Sequence, residues 1–259
     1  MKRIVYAFLL LGLLAVLSTA AQTPQRTPVR TAKKPFQLTW LGHAAFEIVS
    51  AGGTRILIDP FIKDNPSTPA AFKNLARYRP DAILVSHSHN DHAGDAIEIA
   101  RTSGAVVIGA SEFLAARGVP EKQRRGGNVG GTFTVGDVTI HLVPAVHSSE
   151  PSGRPFGFVL TFTDGRSLYH TGDTWIFSDM SLIEELYHPD LILLCAGGGP
   201  FTQDAQTAAL AIEKYFDPET IIPMHYGTFP QLAKEEDVRF AFGDDKRLQF
   251  MKPGETKPF

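Results

Sequence analysis

The stretch Ala82-Ile83-Leu84-Val85-Ser86-His87-Ser88-His89-Asn90-Asp91-His92-Ala93 decides how this chain is read. Residues 82–86 form a continuous run with no charge, as expected of a strand buried on both faces. Residues 93–101 have the pattern of a helix. Between them, three imidazoles and a carboxylate fall within the six residues 87–92. Packing alone does not call for such a cluster. Imidazole and carboxylate together suit borderline divalent ions such as zinc. A strand-to-helix loop lets the side chains converge on one point, which a regular element would not. A bland histidine-rich surface loop, or a metal-scavenging tract, is the alternative, but such tracts are longer and lower in complexity.

One such run cannot complete two coordination shells, so further donors must come from elsewhere. His147 follows the β-like run 138–143 after a short Pro-containing turn, and His225 follows the run 221–224. Asp173, in His170-Thr171-Gly172-Asp173-Thr174, also lies just past a β-like run. A lone histidine or aspartate at a strand end is usually solvated or capping; what singles these out is their shared placement. His141 alternates with Ile140 and Leu142 and reads as structural. His188, before Pro189, reads as a helix C-terminal cap. His170 precedes Asp173 by one turn and stays ambiguous. His43, after Trp40-Leu41-Gly42, reads equally well as structural or as a group that supports a ligand or touches substrate.

Outward from this centre, β-like runs cover 36–40, 45–50, 55–58, 132–135, 138–143, 157–163, 167–170, 191–194, 221–224 and 247–251. Gly52-Gly53, Gly136-Asp137 and Asp164-Gly165 mark turns between neighbours. Helical patterns cover 111–116, 179–186, 204–216 and 232–242. Strand-rich halves separated by helices suggest an α/β chain in which two sheets pack together with helices outside.

The chain has 259 residues, 43% hydrophobic and 20% charged, which is ordinary globular composition. Formal net charge is −2, and the one basic cluster, Lys122-Gln123-Arg124-Arg125, has no interleaved aromatics. Nucleic acid is therefore not an expected partner. Lys2 and Arg3, the apolar run 4–17 and the small residues Ser18 to Ala21 have the form of a signal peptide over 1–21. Cleavage leaves no stable membrane span, and the run is shorter than the roughly 20 residues a spanning helix needs. Residues 22–34 read as a flexible linker, and 35–259 as one domain. The protein is thus expected to be exported, to the periplasm or beyond. The single cysteine, Cys195, permits no internal disulfide and reads as a buried strand residue.

His-x-His-x-Asp-His resembles the signature of the metallo-β-lactamase superfamily. The surrounding text is similar to its subgroup of uncharacterised metal-dependent hydrolases, related to L-ascorbate-6-phosphate lactonase and more distantly to N-acyl phosphatidylethanolamine phospholipase D. The matching pieces are Thr39-Trp40-Leu41-Gly42-His43-Ala44, Ile58-Asp59-Pro60, the 87–92 motif, Ala145-Val146-His147-Ser148-Ser149, His170-Thr171-Gly172-Asp173-Thr174 and Pro223-Met224-His225-Tyr226-Gly227-Thr228. The resemblance implies a four-layer αβ/βα sandwich with its metals at one edge. It implies that His87, His89 and His147 hold one metal, that Asp91, His92 and His225 hold a second, and that Asp173 bridges them. The histidine at position 89, where the di-iron flavoprotein branch carries glutamate, makes the pattern look hydrolytic. Two departures lie near the expected pocket: Ala196-Gly197-Gly198-Gly199-Pro200-Phe201-Thr202-Gln203 replaces the usual Pro-Ile-Gly context, and Ala44 stands where serine is usual.

The expected activity is that of a hydrolase with two divalent ions, zinc first and manganese or iron(II) as alternatives. A water shared by two such ions becomes a metal-bound hydroxide near neutral pH. It would cleave an ester, lactone or related bond in a small-molecule substrate. Asp91 is the expected water-orienting group, and His43 or Tyr226 the expected donor to a developing oxyanion. A phosphodiesterase of the same fold is the second enzymatic reading, and a non-catalytic metal-binding protein the reading from another class. Fold alone does not choose among substrates, and nothing in the sequence sets the oligomeric state.

Overall fold

The structure, a computed structural model, describes residues 34–149 and 152–259. The expected signal peptide, and all but the last residue of the expected linker, lie outside the described residues.

Strands β1 (Gln37–Gly42), β2 (Ala45–Val49), β3 (Arg55–Ile58), β4 (Ala82–Leu84), β5 (Val106–Ala110) and β6 (Arg124–Gly127) build the first sheet. Strands β7 (Thr132–Val135), β8 (Val138–Pro144), β9 (Phe156–Phe162), β10 (Ser167–His170), β11 (Leu191–Cys195) and β12 (Thr220–Met224) build the second. A last strand, β13 (Thr256–Pro258), returns to the first sheet beside β1. The strand orders are β13-β1-β2-β3-β4-β5-β6 and β12-β11-β10-β9-β8-β7.

Each sheet begins with antiparallel hairpins and ends in parallel strands. β3 through β6 run parallel, as do β10 through β12. Parallel neighbours need crossover connections, and helices supply most of them: α1 (Asn90–Ala93) and α2 (Ala96–Ser103) between β4 and β5, α3 (Ser111–Ala116) between β5 and β6, α4 (Met180–Tyr187) between β10 and β11, and α5 (Ala205–Tyr215) between β11 and β12. The helix α6 (Glu235–Phe242) follows β12. Covered on both faces, β4 and β11 are buried along their whole length, which is why they read as unbroken apolar runs. One apolar core runs through both sheets, with Phe46, Ile56 and Leu57 from the first and Phe156, Phe158 and Leu193 from the second.

The hairpin tips also join the sheets. Asp137, in the β7–β8 turn, accepts hydrogen bonds from Ser50 Oγ (2.6 Å), from the Gly52 N–H (3.0 Å) and from Thr54 Oγ1, all in the β2–β3 turn.

Three expectations need correction. Residues 247–251 form no strand; Leu248 makes a single bridge to Ile221, and the pairing partner of β1 is β13 instead. The 93–101 helix is broken at Gly94, because the Asp95 carboxylate turns away to accept the N–H groups of Ile62 and Lys63, both at 2.8 Å. The 232–242 helix starts only at Glu235, where Asp237 accepts the Lys234 N–H at 2.8 Å as a cap.

Candidate metal centre

Strand ends bring the donors to one edge of the sandwich. His43 follows β1, Asp59 follows β3 and His225 follows β12, and all three adopt left-handed backbone conformations, with φ of 57°, 44° and 63°. Non-glycine residues rarely do so, and such positions cluster where side-chain direction matters more than backbone comfort. Glycine does the complementary work at Gly197. A Cβ there would lie 1.9 Å from the His225 carbonyl oxygen and 2.7 Å from its Nδ1. Only glycine lets the chain leaving β11 pass against that imidazole.

The structure brings all seven expected ligands together. Donor atoms of His87, His89 and His147 lie within 4.8 Å of one another, and so do those of Asp91, His92, His225 and His43. In the first group, His89 Nδ1 is 2.9 Å from His87 Nε2 and 3.3 Å from His147 Nε2. Asp173 stands between the groups, its Oδ1 3.3 Å from His92 Nε2 and its Oδ2 3.0 Å from His225 Nε2 and 3.7 Å from His147 Nε2.

These residues fit divalent cations on a direct observation. His92 Nε2 and both ring nitrogens of His225 are buried without a hydrogen-bond partner. Buried nitrogens are rarely left so. Those two Nε2 atoms face carboxylate oxygens at distances a shared cation would close. The electrostatics agree. Burial would raise the Asp91 carboxyl, but the His225 imidazole at 3.7 Å, the hydrogen bond from His43 and the charge of His92 outweigh it and hold it far below the usual range. Asp173 is likewise kept ionised, burial being outweighed by His225 and His92. Burial would lower His225, yet the charge of Asp173 and the nearness of both carboxylates push it up to about 9. Two fixed negative charges thus draw positive charge into the centre.

Behind the ligands lies a relay that the sequence did not reveal. His92 Nδ1–H donates to Asp59 Oδ2 (2.8 Å), and Ser86 Oγ–H donates to the same oxygen (2.6 Å). Ser86 Oγ then accepts from His87 Nδ1–H (3.0 Å), while Asp59 Oδ1 accepts the Ser86 N–H (2.7 Å). One carboxylate therefore orients a histidine in each donor group through its Nδ1–H, leaving both Nε2 atoms aimed at the centre. The only visible signal was an Asp-Pro pair closing a strand.

The other expectations divide. His43 is fully buried behind Asp91, with Nε2 3.1 Å from Asp91 Oδ2 and Nδ1 3.0 Å from Thr228 Oγ1. Burial and the His225 charge lower its pKa to about 4, so it is neutral and donates Nε2–H to the carboxylate. Both nitrogens are engaged, so it supports a ligand and does not face substrate. Tyr226 is also a correction. Its ring stacks on Trp40 at 5.6 Å and meets Phe250 edge-on at 5.9 Å, away from the cavity, so it packs and does not serve an oxyanion. His170 is structural: Nε2–H donates to the Ala44 carbonyl (3.0 Å) and Nδ1 accepts the Gly172 N–H (3.1 Å), joining the sheets and shaping the turn before Asp173. His188 caps α4 in a left-handed conformation, and His141 pairs with Thr132 away from the centre. Cys195 is buried as expected, but its Sγ also lies 3.6 Å from Asp173 Oδ1. Its place at the end of β11 put it level with the ligands.

Over the centre opens a cavity of about 540 Å³, with His89, Asp91, His147, Asp173 and His225 at its floor. That volume falls in the ordinary range for small-molecule sites.

Two sheets in this order, with histidines and aspartates gathered at one edge, define a metal-dependent hydrolase of the metallo-β-lactamase fold. The chain belongs to the beta-lactamase superfamily domain family, which matches residues 37–225. It is 41% identical over 227 residues to a UPF0173 metal-dependent hydrolase of Pyrobaculum islandicum, covering 85% of this chain and 98% of that one. It is 44% identical over 235 residues to a protein of the same description in Myxococcus xanthus, covering 86% and 81%. Among solved structures, a metallo hydrolase of the hyperthermophilic archaeon Ignicoccus hospitalis superposes with a TM-score of 0.76 at 35% identity, covering 86% of this chain and 98% of that one.

Proposed function

We propose that the protein is a dinuclear metal-dependent hydrolase acting on an ester, lactone or related bond of a small molecule. Following the leader-like residues 1–21, it acts outside the cytoplasm. The observation that supports this most is the position of Asp173, whose two carboxylate oxygens face both donor groups. His87, His89 and His147 would hold one divalent ion, Asp91, His92 and His225 the other, and Asp173 both. Zinc suits so many imidazoles, with manganese or iron(II) as alternatives. Such ions, when bound, acidify a water ligand and polarise a carbonyl or phosphoryl oxygen.

The chain's own residues do the rest. Asp91, 31% exposed at the cavity floor, stays ionised and orients the attacking water through its carboxylate. His43 holds Asp91 from behind, so the carboxylate does not swing into the cavity. Arg117 occupies the Asn90 side-chain oxygen at 3.2 Å, leaving the Asn90 amide N–H groups to meet substrate. Water is limited by the apolar side of the cavity.

The test is elemental analysis of the purified protein beside a panel of chromogenic esters, lactones, phosphodiesters and a cephalosporin. Two ions per chain, and turnover of one class abolished by chelator, support the reading. A protein that takes up no added zinc and turns over nothing overturns it; bound metal without turnover leaves a binding protein.

A further inference from the structure

Resting on the hydrolase reading, the substrate class can be narrowed from the wall of the cavity. Above the floor of ligands, that wall is mostly apolar: Phe61 after β3, Pro200 and Phe201 after β11, Phe229 and Leu232 after β12, with Asn90, Ser148 and Gln231 as its polar members. Phe61 and Phe229 lie with ring centroids 6.4 Å apart, and both rest edge-on against the buried His43 ring, at 6.1 and 5.6 Å. The same imidazole that steadies Asp91 thus also fixes two rings of the wall. Phe201 stands at the mouth, 53% exposed, on the loop after β11. An exposed aromatic at the rim of a cavity is a surface awaiting cover.

Among the described residues lining the cavity, none is lysine or arginine, and the charged side chains are the floor ligands themselves. Arg117 reaches Asn90 but is not part of the lining. Pendant phosphates and carboxylates are ordinarily met by cations or by several N–H donors. Away from Asn90, Ser148 and Gln231, a charged group remote from the reacting centre would be desolvated against phenylalanine with no cation to pair it.

We propose that the substrate is a carboxylic ester or lactone whose non-reacting part is uncharged and apolar, seated against the Phe61–Phe229 pair and covered at the mouth by Phe201. Phosphorylated or carboxylated small molecules are disfavoured by the same wall, which offers them no lysine or arginine.

The experiment compares metal-loaded protein on p-nitrophenyl acetate, butyrate, hexanoate and octanoate, and on the mono-p-nitrophenyl ester of adipic acid, which matches hexanoate but ends in a carboxylate. Binding of the uncharged dye N-phenyl-1-naphthylamine, followed by fluorescence, gives a readout independent of turnover. The expected result is a two- to fourfold rise in kcat/KM, roughly, for each added methylene until the cavity is full. The adipate ester should fall at least about tenfold below hexanoate. Phe229→Ala should flatten the length dependence and weaken dye binding. Phe201→Lys should narrow the gap between adipate and hexanoate esters, and its exposed position keeps folding out of the result. Esters cleaved without length dependence, or adipate cleaved as well as hexanoate, overturn the proposal and leave the hydrolase reading standing. If neither these esters nor any member of the wider panel is cleaved, yet the dye binds and both variants weaken it, the hydrolase reading fails and the apolar wall stands. Absence of dye binding overturns the proposal in either case.

Discussion

Asp59 Oδ2 lies 2.8 Å from His92 Nδ1, and through Ser86 the same carboxylate reaches His87. Asp59 touches neither donor group's inner face, yet it sets the ring orientation of a member of each. Replacing it should therefore weaken both ions together. For Asp59→Asn, the expected loss is about 10- to 100-fold in metal affinity, read by competition with a chromophoric chelator. Loss of one ion with the other retained at full affinity would show that the relay does not act on both.

Asp91→Ala and His225→Ala each remove a donor from one group and should lower metal content and abolish turnover. Circular dichroism should stay close to that of the parent, because both side chains sit at the edge and not in the core. Full metal and full activity in either variant would show the ligand assignment to be wrong.

Gly197→Ala places a methyl group against the His225 backbone and ring. Overpacking of this kind costs about 1–3 kcal/mol or more. The expected outcome is a lower melting temperature together with a selective loss of metal from the Asp91-His92-His225 group. A variant as stable and as metal-rich as the parent would mean that the β11 exit loop yields freely.

Asp137 ties two hairpin tips, and its carboxyl is lowered below the ordinary 3.8: slight burial opposes the shift, and hydrogen bonds from Ser50, Thr54 and Gly52 outweigh it. With the folded-state pKa depressed, the stabilisation is present above the unfolded-state value and is lost as pH falls through the lower, folded-state one. Asp137→Asn should thus lose about 1–2 kcal/mol near neutrality and show a flatter decline in acid than the parent. Urea titrations at pH 7 and below pH 3.5 or so compare the two. Equal pH dependence in both proteins would remove Asp137 from the acid response.

Chelation should lower stability as well as activity, since ions that bind only the folded chain stabilise it by mass action, about 2.7 kcal/mol at a hundredfold excess over Kd. Thermal unfolding with and without chelator measures this. An unchanged midpoint would mean that the centre contributes nothing to folding.

Much of this was legible because ligand chemistry is written in residue type and strand-end position together. His87, His89, Asp91 and His92 announce themselves by crowding, and His147, Asp173 and His225 by following apolar runs. Asp59 and Ser86 were harder to see, because they act by completing hydrogen bonds of other side chains. Tyr226 stacks its ring on Trp40, a contact that residue type and position alone did not show. In the fold, β6 escaped notice since Arg124-Arg125-Gly126-Gly127 has the composition of a turn; an edge strand pairs through its backbone and needs little from its side chains. β13, Thr256-Lys257-Pro258, was hidden for the same reason. The run 247–251 has strand-like residues but finds no free edge beyond β12 other than one bridge.

The donors are divided between the two sheets: His87, His89, Asp91 and His92 leave the first, and His147, Asp173 and His225 leave the second. Neither half of the polypeptide carries a complete set for either of the two proposed ions. Tight binding can therefore arise only once the halves have docked, and an ion would act as a clasp across a seam. Two fragments cut in the exposed turn between β6 and β7 would be complementary pieces, each incompetent alone, whose reassociation is driven in proportion to the free metal around them.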